Sequence, residues 1–305
     1  LKAYMIDFNK MAAALLLRLI NVLGVIPRPM GLRIGQAIGR LLFTFDKKHR
    51  RIATENVSRA FDWPPQSPDV YRIVRQVFKN LGMMLFEISW AARLDPAQHA
   101  RYFRIRGAEN YYQAMEKGRG ALLLTAHMGN WELFSIVAHM AGIPANVVYR
   151  PLDNKALDDA VKQIRCRYGA RLIPTRYAFY RIVKTLKKKA CVAMLMDQNV
   201  DYYNGVYVDF FGRRACTNRG MAYMAVRTEA PVVPVFMLRE PGGYRAEVLP
   251  EIPLIKTGDL QKDIEENTAR YNAAIEAIVR QYPDQWFWVH QRWKTKAYCV
   301  WPREN

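Results

Sequence analysis

Acidic residues are scarce in this chain. Its 305 residues include 27 Asp and Glu against 46 Lys and Arg, a formal net charge of +19. A surplus that large calls for an anionic partner, which nucleic acid, an anionic membrane leaflet, an acidic carrier protein or a phosphorylated substrate would each supply. Cysteine is also sparse. Cys166, Cys191, Cys216 and Cys299 form no CxxC pair, which argues against a disulfide framework or a zinc ribbon and fits reduced packing residues facing a cytosol. No repeat period is present. No stretch reaches the roughly 20 apolar residues that cross a bilayer. The nearest, residues 11–27, is interrupted by Arg18 and lacks a small-residue cleavage site, so it does not read as a signal peptide.

What is present divides into two textures. Residues 1–95 look helical. Leu15, Leu16, Leu19, Ile20, Leu23 and Ile26 recur at helical spacing. Lys10, Arg18, Arg28, Arg33, Arg40, Lys47, Lys48, Arg50 and Arg51 lie around them. This is either a basic amphipathic helix lying on a membrane or a core helix of a soluble domain. Residues 69–90 repeat the helical period. From Phe103 onward short β-rich runs (121–125, 146–149, 171–174, 191–196, 232–237, 245–249) alternate with helical ones (131–140, 156–168, 178–188, 219–227, 260–281). That alternation predicts an α/β fold, a mostly parallel central sheet flanked by helices. The expected organisation is an N-terminal helical, membrane-associating region at 1–95 and an α/β core at 96–305, within one structural domain.

The chemistry centres on the block Ala121-Leu-Leu-Leu-Thr-Ala-His127-Met-Gly129-Asn130-Trp-Glu132. A buried strand runs out, a turn follows, and a helix begins. Ligands of open α/β sheets bind at such strand ends. Asn130 fits an N-cap, and the amides around Gly129 and Asn130 are candidates for an oxyanion site. His127 and Glu132 are close enough in sequence for their side chains to meet. A carboxylate on one imidazole nitrogen would leave the other free as a base. With no Ser or Cys nearby, such a pair suits direct activation of a substrate hydroxyl. One His and one Glu are too few for a metal site, and no metal or cofactor is expected. His139 reads as structural.

Arg150, Arg165 and Arg167, then Asp197, Arg214 and Arg219, lie in segments that follow predicted strands or end helices, and are candidate substrate-binding residues. The tail Trp286-Phe-Trp288-Val-His290-Gln-Arg292-Trp293-Lys294 is rich in aromatics. It fits a terminal strand packed in the core, a membrane-seated face, or a platform for single-stranded nucleic acid.

Taken together, these segments resemble the lipid A late acyltransferases. His127-Met-Gly-Asn-Trp-Glu132 is similar to that family's HFGNWE-type motif. Tyr149-Arg150-Pro151, Arg165-x3-Gly169, Asp197-Gln198, Val208-Asp-Phe-Phe-Gly212 and Trp288-x-His290-x-Arg292-Trp-Lys294 resemble its later landmarks, in order, and Arg51-Ile-Ala-Thr-Glu-Asn56 its early segment. The resemblance implies a membrane-associated acyltransferase at the cytoplasmic face of a bacterial inner membrane. Its donor would be an acyl carrier protein or acyl-CoA thioester, and its acceptor a hydroxyacyl glycolipid. His127 would be the base and Glu132 its orienting partner. Arg165, with Arg167 as alternate, and Asp197 would be functional, and Arg150 would meet phosphate. Acylation of another glycolipid, such as a phosphatidylinositol mannoside, is the alternative within enzymes. A basic nucleic-acid-binding protein is the alternative outside them, and the chain carries no motif for it.

Overall fold

The computed structural model describes residues 2–296. Four helices come first: α1 (Lys2–Leu23), α2 (Arg28–Phe45), α3 (Lys47–Phe61) and α4 (Pro68–Ala91). There follow α5 (His99–Tyr102), β1 (Phe103–Arg106), α6 (Ala108–Glu116), β2 (Ala121–Thr125), α7 (Phe134–Met140), β3 (Asn146–Tyr149), α8 (Lys155–Arg165) and β4 (Arg171–Pro174). The chain continues through α9 (Ala178–Lys187), β5 (Cys191–Leu195), β6 (Gly205–Phe210), β7 (Arg213–Asn218), α10 (Gly220–Thr228), β8 (Val232–Glu240), β9 (Gly243–Val248) and α11 (Leu260–Gln281). Helix starts carry their signals: Asp46, Ser67 and Asp259 side chains each accept a backbone amide of the helix they precede, and Pro68 opens α4.

The main sheet has seven strands in the order β1-β9-β8-β2-β5-β3-β4. From β8 to β4 all neighbours are parallel. β9 runs antiparallel to β8, and β1 parallel to β9. β2 is buried along nearly its whole length, as its unbroken apolar run requires of a central parallel strand. The expected α/β sheet is therefore present. The run at 245–249 differs, because it returns beside β8 as a hairpin rather than through a helix.

A separate two-stranded ribbon, β6–β7, folds the segment around Asp209-Phe210-Phe211-Gly212 back on itself. Phe210 and Phe211 are buried against Trp286 and Trp288, with ring centroids 5.4 and 6.0 Å apart. The tail is thus packed in the core as expected, but as turns, joined to a strand-like partner by a single bridge between Met128 and Trp286. With Trp286 and Trp288 essentially inaccessible, they offer no faces for stacking bases.

α2 is packed in an unusual sense. Gly31, Gly35 and Gly39 form its buried face. A Cβ at Gly35 would lie 2.8 Å from the Gly82 carbonyl oxygen, and one at Gly39 would lie 2.3 Å from that of Phe78. This close seam on α4 turns the aliphatic side of α2 outward. Met30, Ile34, Ile38, Leu41 and Phe45 are exposed along it, and Met11, Leu15, Leu19 and Val22 are exposed on α1. Among the described residues no helix is long and apolar enough to cross a membrane.

Candidate active site

β2 and β5 lie side by side with Thr125 opposite Leu195. Two residues further along each strand stand His127 and Asp197. Asp197 is completely buried. Its Oδ1 is 2.8 Å from His127 Nδ1, and its Oδ2 accepts the His127 amide at 2.9 Å. Trp286 Nε1 donates to the same Oδ2 at 2.7 Å. Burial alone would raise the Asp197 pKa, but the neighbouring His127 charge and these hydrogen bonds outweigh it and hold the carboxyl well below the ordinary carboxylate range. An ionised Asp197 fixes the proton of His127 on Nδ1 and leaves Nε2 as a base. Nε2 lies 3.4 Å from the Gln198 side-chain nitrogen. Trp131 meets the imidazole edge-on at 4.8 Å, and Phe287 lies against it at 5.9 Å, which restricts the ring.

Glu132 is not the partner of His127. The helix expected at 131–140 begins as a 3-10 turn, Trp131–Leu133, and the Glu132 carboxylate is captured by Arg165 from the end of α8. Arg165 Nε and Nη2 reach Glu132 Oε2 and Oε1 at 2.7 and 2.5 Å. Burial would lower the Arg165 pKa, but the Glu132 hydrogen bonds and charge raise it on balance. Both residues line the same cavity as His127. The pair ties α8 to the turn that carries His127. Glu132→Ala and Arg165→Ala are therefore expected to act as a unit, the double variant being about as impaired in kcat/KM as the worse single variant. Costs that simply add across the four proteins would contradict that coupling.

Of the two expected oxyanion amides, one is occupied. The Gly129 amide donates to the Gln285 carbonyl at 2.9 Å and is occupied. Glycine is needed there because φ is +59° and a Cβ would sit 2.2 Å from the Met237 carbonyl oxygen. Asn130 makes no side-chain cap. Its carboxamide is buried, with Nδ2 donating to Glu87 Oε2 of α4 at 2.8 Å and Oδ1 without a partner among the described residues. Arg239 closes the arrangement with two 2.7 Å bonds to the Glu87 carboxylate.

The remaining cations divide. Arg150 is exposed and lines the cavity. Among the described residues no carboxylate lies within ion-pair distance of it. Arg167 is exposed and is not part of the cavity wall. Arg214 lies on the ribbon and reaches Glu265 of α11 at 3.5 Å, away from His127. Arg219 is exposed at the start of α10, beside Asn218, which does line the cavity. His139 lies near the rings of His99 and Tyr168, apart from the reacting loop. Two contributors were not singled out as a pair with the motif: Gln198, which follows Asp197, and Trp286.

The cavity measures about 550 Å³. Its lining includes His127, Arg150 and Gln198 near the reacting loop and Tyr111, Ile143 and Val248 further from it. Between those ends its walls are aliphatic, with Leu123, Val147 and Ala193 among them. Such a space suits a long alkyl chain whose polar end stops at the imidazole.

A sequence profile described as bacterial lipid A biosynthesis acyltransferase matches residues 6–295. The chain is 26% identical over 275 residues to the lipid A biosynthesis palmitoleoyltransferase of Escherichia coli K12, covering 89% of this chain and 87% of that one. It is 28% identical over 275 residues to the lipid A biosynthesis lauroyltransferase of the same organism, with the same coverage. It is 25% identical over 243 residues to a phosphatidylinositol mannoside acyltransferase of Mycolicibacterium smegmatis, covering 78% of this chain and 77% of that one.

Proposed function

The chain belongs to the bacterial lipid A biosynthesis acyltransferase family, and from that premise we propose that it transfers a fatty acyl chain from a thioester to a hydroxyl of a membrane glycolipid, a lipid A precursor in particular. The observation that carries this reading is the His127–Asp197 pair opening directly onto an apolar cavity of about 550 Å³. The acyl chain of an acyl carrier protein or acyl-CoA donor occupies the cavity, with its thioester carbonyl beside His127. The acceptor hydroxyl gives its proton to Nε2 as its oxygen bonds to the carbonyl carbon. The carbon–sulfur bond then breaks, and the departing thiolate takes the proton from the imidazolium. Ionised Asp197 stabilises that imidazolium. With the Gly129 amide and the Asn130 side chain committed elsewhere, Gln198 is the side-chain donor available to the carbonyl oxygen. Arg150, with no carboxylate in ion-pair distance among the described residues, is the cation for an anionic group of the substrate beside the cavity.

The test of this reading is expression in a host stripped of its own late acyltransferases, followed by mass spectrometry of lipid A. One added acyl chain is expected, and an unchanged lipid A alongside a new acylated phosphatidylinositol mannoside in vitro would favour the second acceptor class.

The work is placed at the cytoplasmic surface of the inner membrane, with residues 1–95 as the membrane-associating region. The outward aliphatic rows of α1 and α2 and the basic residues among them support this. Rows of this kind bury apolar side chains at a lipid interface, and the Lys and Arg meet anionic headgroups. Leu41→Glu combined with Phe45→Glu is expected to weaken binding to anionic vesicles at least about tenfold, while turnover of detergent-dispersed substrates persists. Vesicle binding equal to that of the parent protein would remove this face from the membrane.

A further inference from the structure

A second cleft, of about 400 Å³, lies between the start of α3 and the C-terminal turns. Its walls include Lys48 and His49 on one side and His290, Gln291 and Lys294 on the other, and Gln198 and Asn199 form its inner end. Those last two residues also line the apolar cavity. The two spaces therefore share Gln198, whose side chain lies beside His127 Nε2.

Three features describe what the polar space would hold. Lys48 and Lys294 are both exposed, and among the described residues neither has a carboxylate within ion-pair distance. His49 is held by Asp46, its Nδ1 lying 2.7 Å from Asp46 Oδ2, so the acid nearest the cleft is already engaged. His290 donates Nδ1–H to the Phe287 carbonyl at 2.6 Å, and its Nε2 has no partner. The cleft thus presents the ammonium groups of Lys48 and Lys294, the former near the Asp46 carboxylate that His49 engages, together with carboxamides from Gln198 and Gln291. The wall is stiff. Asn56 donates to the Trp288 and His290 carbonyls at 2.8 and 2.6 Å, and Asn199 exchanges two hydrogen bonds with Thr295.

We infer that this cleft binds a phosphate group of the acceptor glycolipid while the lipid's hydroxyl is presented to His127. The inference rests on the acyltransferase reading above and adds to it where the acceptor's headgroup sits. A concave space of this size admits a phosphate and part of a sugar, but not the helix of an acidic carrier protein. Because it shares Gln198 with the reaction cavity, a group held in the cleft lies next to the imidazole, where a hydroxyl of the same molecule can approach Nε2. Lysines hold phosphate as point charges at such a mouth.

The experiment compares two acceptors in mixed micelles, a hydroxyacyl glucosamine disaccharide with its phosphates and the same lipid enzymatically dephosphorylated. The parent protein is expected to show kcat/KM about tenfold higher for the phosphorylated form. In Lys48→Gln combined with Lys294→Gln that ratio falls toward one, and Lys48→Arg combined with Lys294→Arg restores most of it. Circular dichroism and a melting curve check that both double variants are folded. A ratio near one in the parent protein, a ratio unchanged in the Gln variant, or equal losses on both acceptors would overturn the proposal. The last of these, with a matching loss of binding to anionic vesicles that lack acceptor, would make the lysines part of the membrane face. If the parent protein acylates neither acceptor, it is the acyltransferase assignment to this glycolipid that fails.

Discussion

Asp197→Asn is expected to lower kcat on the order of 10³–10⁴-fold with the fold intact. The size of the loss follows from where the donors are. Oδ2 accepts two N–H groups, the His127 amide and Trp286 Nε1. The asparagine oxygen must occupy that corner, because an NH2 group there would face two other donors. Its NH2 then lies where Oδ1 was, 2.8 Å from His127 Nδ1, and can bond only to an unprotonated Nδ1. The imidazole proton is forced onto Nε2, toward Gln198 and the cavity, and the base is lost without loss of volume. The buried anion that stabilises the imidazolium is lost as well. Steady-state turnover beside a thermal melt checks this. A variant with at least a tenth of the parent kcat would show that Asp197 is a structural anchor only.

The second large effect is expected from His127→Ala, a fall in kcat of about 10²–10⁴-fold. Deleting the ring leaves Asp197 its two Oδ2 donors, so the carboxylate is not stranded and the loop has reason to stay in place. The chemistry has no substitute nearby. Cys216 is buried, its thiol within 3.5 Å of the Asp201 carbonyl, and Cys191 is buried within β5. Glu132 is bound by Arg165. His290 is pushed down to about 4 by burial and stays neutral, with Nδ1–H held by a carbonyl. His127→Gln, which keeps a donor toward Asp197, is expected to be as inactive as the Ala variant but better folded. Those two readouts together separate loss of the base from loss of packing.

The local part of the site was legible in the sequence and the non-local part was not. A buried run ending two residues before His127 announces a strand end, and Gly129 announces a tight turn. These are consequences of neighbouring residues. Asp197 is 70 positions away, and its contact with His127 depends on β2 pairing with β5 rather than with the strand next in sequence. The sequence does single out Asp197, as a residue that follows a second apolar run and as functional by the resemblance, but it assigns it to substrate binding rather than to the imidazole. Glu132 misled because proximity in sequence stood in for geometry. A 3-10 turn and the bidentate hold of Arg165 direct it elsewhere. Asn130 has the composition of a cap, but its side chain turns to α4, where Nδ2 meets the buried Glu87 carboxylate. The ribbon around Phe210 and Phe211 and the Trp286–Trp288 segment lie far apart in sequence. They are two halves of one aromatic cluster that sets Trp286 against Asp197.

The most direct test of the account is a quenched single turnover with radiolabelled acyl thioester and a hydroxyacyl glycolipid, run on the parent protein and on His127→Ala. The label is expected to pass straight to the glycolipid in the parent, with none on the protein at any time point, and to stay on the thioester in the variant. Label accumulating on the protein before it reaches the lipid, or product forming at the parent rate without the imidazole, would contradict direct transfer by an aspartate-backed histidine.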